Sequence, residues 1–134
     1  MTTALDSMVL IDLFQNEPEW APRAATAIDQ ALRSGRIVAC DVVWAEVAGR
    51  FPSEAVLAQA MTELNVDFDG IGELAATRAG RLWRRFRDAG GTRRERIVPD
   101  FLVGAHALDR ADALLTRDRG FYRRYFKGLR VIEP

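Results

Sequence analysis

Residues 96–126 read "RIVPDFLVGAHALDRADALLTRDRGFYRRYF", and this stretch decides the fold. Pro99 disfavours the helical conformation at Val98, so a helix is expected to open at Asp100 and continue through the apolar "FLVGAHAL". "ADALLT" then reads as a strand and "GFYRRYF" as a helical turn. Helix, strand and helix in succession within thirty residues are the alternation of an α/β layer protein. A question comes with the first of these helices. Asp100 stands where a helix cap would stand, and a carboxylate there can also do chemistry.

The alternation extends to both sides. "TALD" is a short apolar run ending in Asp6, after which Ser7 is placed to cap a helix carrying Val9, Leu10, Leu13 and Phe14. Pro18 and Pro22 interrupt the chain, and residues 23–34 form an amphipathic helix ended by Gly35. "RIVAC" is a buried strand, with Asp41 as cap of a helix through Val47. Ser53 opens "SEAVLAQAMTEL", "NVDFD" is a short strand, and a long helix runs to about Ala89 before Gly90-Gly91. "LRVIE" is the last strand. The expected fold is α/β, with a mostly parallel central sheet flanked by helices and residues 1–134 as a single domain.

Bulk properties narrow the classes. A chain of 134 residues with 49% hydrophobic residues is long enough for one buried core. No run of about 18 apolar residues exists, so no membrane span is expected. "MTTALD" has no basic region ahead of an apolar one, so no secretory signal is expected either. The one cysteine, Cys40, suits a reducing, cytoplasmic setting. Zero net charge conceals an asymmetry. Residues 1–75 carry twelve acids against four arginines, a balance of −8, and residues 76–134 carry fifteen bases against seven acids, a balance of +8. One half can meet phosphate while the other gathers carboxylates.

In open parallel sheets, ligands bind beyond the carboxyl ends of the strands. Asp6 ends the first strand, and Asp118 follows "ALLT" by two residues. Glu46 lies in the first turns of the helix after the second strand, and Asp100 opens the helix leading into "ALLT". All four are expected at one edge of the sheet. Singly, each has a plainer reading as a cap, a turn residue, or (for Glu46) a partner of Arg50. Together they carry a cost, because two carboxylates about 4 Å apart repel by about 4 kcal/mol at an effective dielectric of 20. A divalent cation offsets that repulsion, and all-oxygen ligation favours Mg²⁺ or Mn²⁺ over zinc. Such a site activates water for attack on a phosphodiester without a nucleophilic side chain.

"ALDSMVLIDLF", "VVWAEVAGRF", "IVPDFLVGAHAL" and "LLTRDRGFYRRYF" closely resemble, in order, the four motif regions of PIN-domain ribonucleases, in particular VapC-type toxins of bacterial toxin–antitoxin pairs. The resemblance implies Asp6, Glu46, Asp100 and Asp118 as the acidic Mg²⁺ or Mn²⁺ site, with Ser7 and Thr116 as hydroxyl residues beside it. It further implies an endoribonuclease, a homodimer, and a small VapB-like antitoxin that blocks the site. The rival expectations are a non-catalytic RNA- or protein-binding module on the same fold, and a DNA-directed nuclease.

Seven arginines fall between positions 81 and 96. Of these, Arg93, Arg94 and Arg96 in the Gly-Gly loop are expected to contact RNA phosphates, as are Arg117 and Arg119, which flank Asp118. The helical ones suit a solvated face, with Arg84 pairing Asp88. His106 falls about 240° round the helix from Asp100 and is expected to be structural. Asp69 reads as a turn or cap residue. Val103, Gly104 and Ala107 are small enough to let a backbone pack closely beside the site.

Overall fold

The computed structural model describes residues 1–93 and 96–134. Among these, five strands form one sheet: β1 (Thr2–Leu5), β2 (Arg36–Ala39), β3 (Val66–Phe68), β4 (Ala113–Leu115) and β5 (Arg130–Ile132). Their spatial order is β3-β2-β1-β4-β5, and every neighbouring pair is parallel. The described helices are α1 (Ser7–Phe14), α2 (Trp20–Ser34), α3 (Asp41–Ala48), α4 (Glu54–Leu64), α5 (Glu73–Asp88), α6 (Val98–Arg110) and α7 (Arg119–Tyr125). Strands covered on both faces must be apolar throughout. Accordingly Ala4 and Leu5 of β1 and all three residues of β4 are buried and apolar, and the methyl-bearing Thr3 is buried with them.

The chain builds outward from β1 to β2 and β3, then returns to place β4 and β5 on the other side of β1. This reversal opens a crevice beyond the carboxyl ends of β1 and β4. Register sets what meets there, because Leu5 lies opposite Leu115. Asp112 holds that register from the other end: its Oδ2 accepts the Thr2 N–H at 2.6 Å, and its own N–H donates to the Thr2 carbonyl at 2.8 Å. The next residues in line, Asp6 and Thr116, are therefore brought side by side.

Several helix starts differ by a few residues from the sequence reading. Asp6, not Ser7, caps α1, accepting the Ser7 N–H. The cap position of α3 is Cys40, and Asp41 lies inside the first turn, where it accepts the Ile71 N–H at 3.3 Å. Pro22 sits within the first turn of α2, and Pro99 likewise follows Val98 as the second residue of α6. A first turn has no intrahelical partner for its N–H groups, so proline loses nothing there and its bias against helix at Val98 is overridden. Ser53 caps α4 as expected, accepting the Val56 N–H at 3.2 Å.

Packing fixes the helices that border the crevice. Phe101 of α6 meets Phe121 of α7 with ring centroids 5.1 Å apart, and Phe86, Tyr125 and Phe126 extend the cluster. Edge-to-face pairs of this kind add about 0.5–1.5 kcal/mol each beyond area burial. A β-carbon at Gly104 would run into the ring of Phe126, just past α7, so the missing side chain makes room for that ring. His106 is buried and meets Asp69 Oδ2 at 2.7 Å, while Arg110 grips both oxygens of Asp69 at 2.6 and 2.9 Å. Asp69 thus ties the end of β3 to α6, and Arg110 holds its carboxyl down at about 2.

Candidate active site

Asp6, Ser7, Glu46, Asp100 and Asp118 line one cavity of about 480 Å³ at this crevice, together with Arg50, Arg96, Arg117 and Tyr122. Four carboxylates from four segments therefore meet, each for a local reason. Asp6 follows β1 directly in extended conformation (φ −79°, ψ 153°) and faces the crevice as α1 begins. Its Oδ1 accepts the Ser7 N–H at 2.8 Å and its Oδ2 accepts the Thr116 hydroxyl at 2.6 Å. The Thr116 oxygen also accepts the Asp118 N–H at 3.0 Å, so one fully buried hydroxyl links the two strand ends.

Asp100 is the third residue of α6, and its Oδ2 accepts the Ile97 N–H at 3.1 Å. It acts as a helix cap and lines the cavity as well. The helix start, where the dipole favours a carboxylate, holds it there. Glu46 projects from α3, and Asp118 stands at the cap position of α7, where its carboxylate makes no capping bond to the helix.

Electrostatics follow from this crowding. Burial, first, and then the charges of Asp100 and Asp118 raise the Asp6 carboxyl above its ordinary value, against hydrogen bonds from Thr116 and Ser7 that lower it. Glu46 is raised by desolvation and by Asp6, and a hydrogen bond with Ser7 opposes this. The Tyr122 hydroxyl is pushed well up by burial and by the same three aspartates. Arg117 does not relieve the excess charge, because its Nη1 contacts both oxygens of buried Asp12, at 3.1 and 2.8 Å. Among the described residues four carboxylates are left facing Arg50 and Arg96, and the balance is negative.

The donor set suits a hard cation. Among the described residues, no three His, Cys, Asp or Glu side chains close into a ready-made metal cage. Mg²⁺ does not require one, since it keeps several waters and takes one or two carboxylates from a protein. An oxygen-lined, negatively charged cavity with a desolvated carboxylate at its base meets that need.

The arginines named from sequence separate here. Arg96 lies in the cavity with Nη1 2.6 Å from Asp118 Oδ2, and Arg117 lies in it while paired with Asp12. Arg119 turns away to Glu133 at 2.8 Å, Arg93 is exposed, and Arg94 lies outside the described residues. Two lining residues, and the pairing of a third with a buried acid beneath it, escaped the sequence reading. Tyr122, Arg50 and the Asp12–Arg117 pair all depend on tertiary contacts, although a lone acid in "MVLIDLF" was a visible anomaly.

An all-parallel α/β sheet with carboxylates gathered at the reversal of strand order defines a class of ligand-binding fold. The sequence matches the PIN domain model over residues 3–127, and the chain belongs to the PIN-domain family. No curated protein matches the sequence. Solved structures share the fold. A chain of VapBC2 from Rickettsia felis, bound to a DNA fragment from their promoter, superposes with TM-score 0.76 at 14% identity, covering 100% of this chain and 99% of that one. VapBC-1 from nontypeable Haemophilus influenzae gives 0.72 at 20% identity, covering 99% and 98%. A toxin–antitoxin complex from Klebsiella pneumoniae gives 0.64 at 23% identity, covering 97% and 95%.

Proposed function

We propose that this chain is a VapC-type toxin: an endoribonuclease dependent on Mg²⁺ or Mn²⁺, acting in the cytoplasm on RNA and held in check by a VapB-like antitoxin. The observation that carries this is the meeting of Asp6, Glu46, Asp100 and Asp118 in one cavity of a PIN-family chain. The relation of the fold to chains of toxin–antitoxin complexes supports the antitoxin partner, and a homodimer is part of the same proposal. Among the described residues, no helix is long and apolar enough to cross a membrane.

In this mechanism Asp6, Asp100 and Asp118 would hold the cation, with Glu46 completing the set. When bound, the ion offsets charge on the phosphodiester and makes water more acidic. The chain's own residues do the rest. Thr116 and Ser7 fix the two oxygens of Asp6, so its carboxylate cannot rotate away. Arg96 and Arg117 present guanidinium N–H groups on the flank of the cavity through which a phosphate backbone would pass.

The test is expression of the chain in a bacterial host, followed by mapping of new RNA 5′ ends. New ends should appear at defined sites and vanish with Asp100→Asn. If the same ends persist with Asp100→Asn, the proposal fails; if cleavage falls on DNA instead, the substrate assignment fails.

A further inference from the structure

Among the described residues three arginines line the cavity, and two of them, Arg96 and Arg117, are held in different ways. Arg117 is locked. Asp12 beneath it is only 3% exposed, and the guanidinium lies over the Trp20 ring at 4.2 Å. Removing that contact would leave a buried charge unpaired. Arg96 is held by one carboxylate oxygen, Asp118 Oδ2, and both side chains reach solvent, at 28% and 42% exposure. Its guanidinium rests on the face of Phe121 at 4.2 Å, and that ring is buried and fixed. A partly exposed ion pair of this kind has modest net strength, so a divalent charge can take its carboxylate. The cation–π contact does not depend on Asp118, and it would keep the guanidinium at the cavity when the carboxylate leaves. A guanidinium fork fits phosphate oxygens as well as it fits carboxylate.

We propose that Arg96 is a displaceable counterion: it neutralises Asp118 until a divalent cation claims that carboxylate, and the released guanidinium, still seated on Phe121, then engages an RNA phosphate. This rests on the metal-dependent nuclease proposed above. Arg96 is on this basis a positioning residue that couples the two ligands. Cation binding should strengthen RNA binding, and RNA should strengthen cation binding by the same factor.

The test follows Mn²⁺ binding to the full chain through the electron paramagnetic resonance signal of free Mn²⁺. Arg96→Gln is expected to bind Mn²⁺ about two- to fivefold tighter than the parent, the scale of one solvent-accessible ion pair. Arg93→Gln, which removes the same charge from an exposed position of the same loop, is expected to bind as the parent does. In parallel, nitrogen-15 spectra of the parent should show the Arg96 Nε–Hε signal, assigned from its loss in Arg96→Gln, shifting as Mg²⁺ is added. The Arg117 signal should stay in place. Equal Mn²⁺ affinity in the parent and Arg96→Gln, or equal tightening by Arg93→Gln, overturns the counterion role and leaves the metal site standing. A parent chain that binds no Mn²⁺ overturns both.

Discussion

Thr116 and Asp6 lie 110 positions apart in sequence, yet the Thr116 hydroxyl donates to Asp6 Oδ2 at 2.6 Å across the reversal of strand order. That bond joins the ends of β1 and β4, and the same oxygen accepts the Asp118 N–H. Thr116→Val keeps the shape and removes the hydroxyl. Asp6 and the Asp118 N–H each lose a partner, and an unsatisfied buried group costs about 1–3 kcal/mol. Urea denaturation should show that loss for Thr116→Val and little of it for Thr116→Ser. Equal stability of parent and Thr116→Val would mean that the bond is not structural.

Asp6 and Glu46 both bind protons more tightly in the folded chain than their ordinary values of 3.8 and 4.5 allow. Above those values the folded state holds more protons than the unfolded, so stability must fall as pH rises, until the raised folded values are passed. With chelator present, the urea midpoint of the parent is expected to decline as pH rises above about 4, through these two groups. Asp6→Asn should flatten the decline. An identical slope in the variant would show that Asp6 titrates normally.

Added cation should reverse that trend, because it binds the ionised folded state. At a hundred times Kd the gain is about 2.7 kcal/mol, read as a rise in Tm with Mg²⁺ or Mn²⁺. Asp118→Asn should lose most of the rise. The absence of any rise in the parent at millimolar ion would leave the carboxylate cluster without its proposed occupant.

Asp69 belongs to the scaffold. Asp69→Asn weakens the grip of Arg110 and changes the partner of buried His106, and hydrogen bonds to charged groups contribute about 1.5–3 kcal/mol. The expected outcome is a lower urea midpoint with unchanged RNA cleavage per folded molecule. A loss of cleavage at full stability would instead give Asp69 or His106 a part in the chemistry.

The parallel layers were legible because strands covered on both faces must be apolar, which made "RIVAC" and "ALLT" visible as runs. Asp6, Asp100 and Asp118 were legible for a related reason: each adjoins an element boundary that local residues mark. Boundaries themselves shifted by one to three residues. Asp6 and Ser7 are adjacent capping residues, and nothing local says which will cap. A proline in a first turn looks the same as one that stops a helix. What the sequence concealed was pairing at a distance. Arg117 with Asp12, Arg96 with Asp118, and Asp69 with His106 and Arg110 are contacts that only the strand order brings together. Arg117 and Arg119 illustrate this most plainly. They look equivalent beside Asp118, yet one lines the cavity and the other pairs with Glu133.

The most direct measurement is cleavage of a labelled RNA by the purified chain in Mg²⁺ or Mn²⁺ and in chelator, alongside Asp100→Asn in the same buffers. Cleavage should require the ion and should fall by about a hundredfold or more in the variant, whose fold is retained. Cleavage that proceeds in chelator, or that Asp100→Asn supports at the parent rate, would contradict the four-carboxylate site.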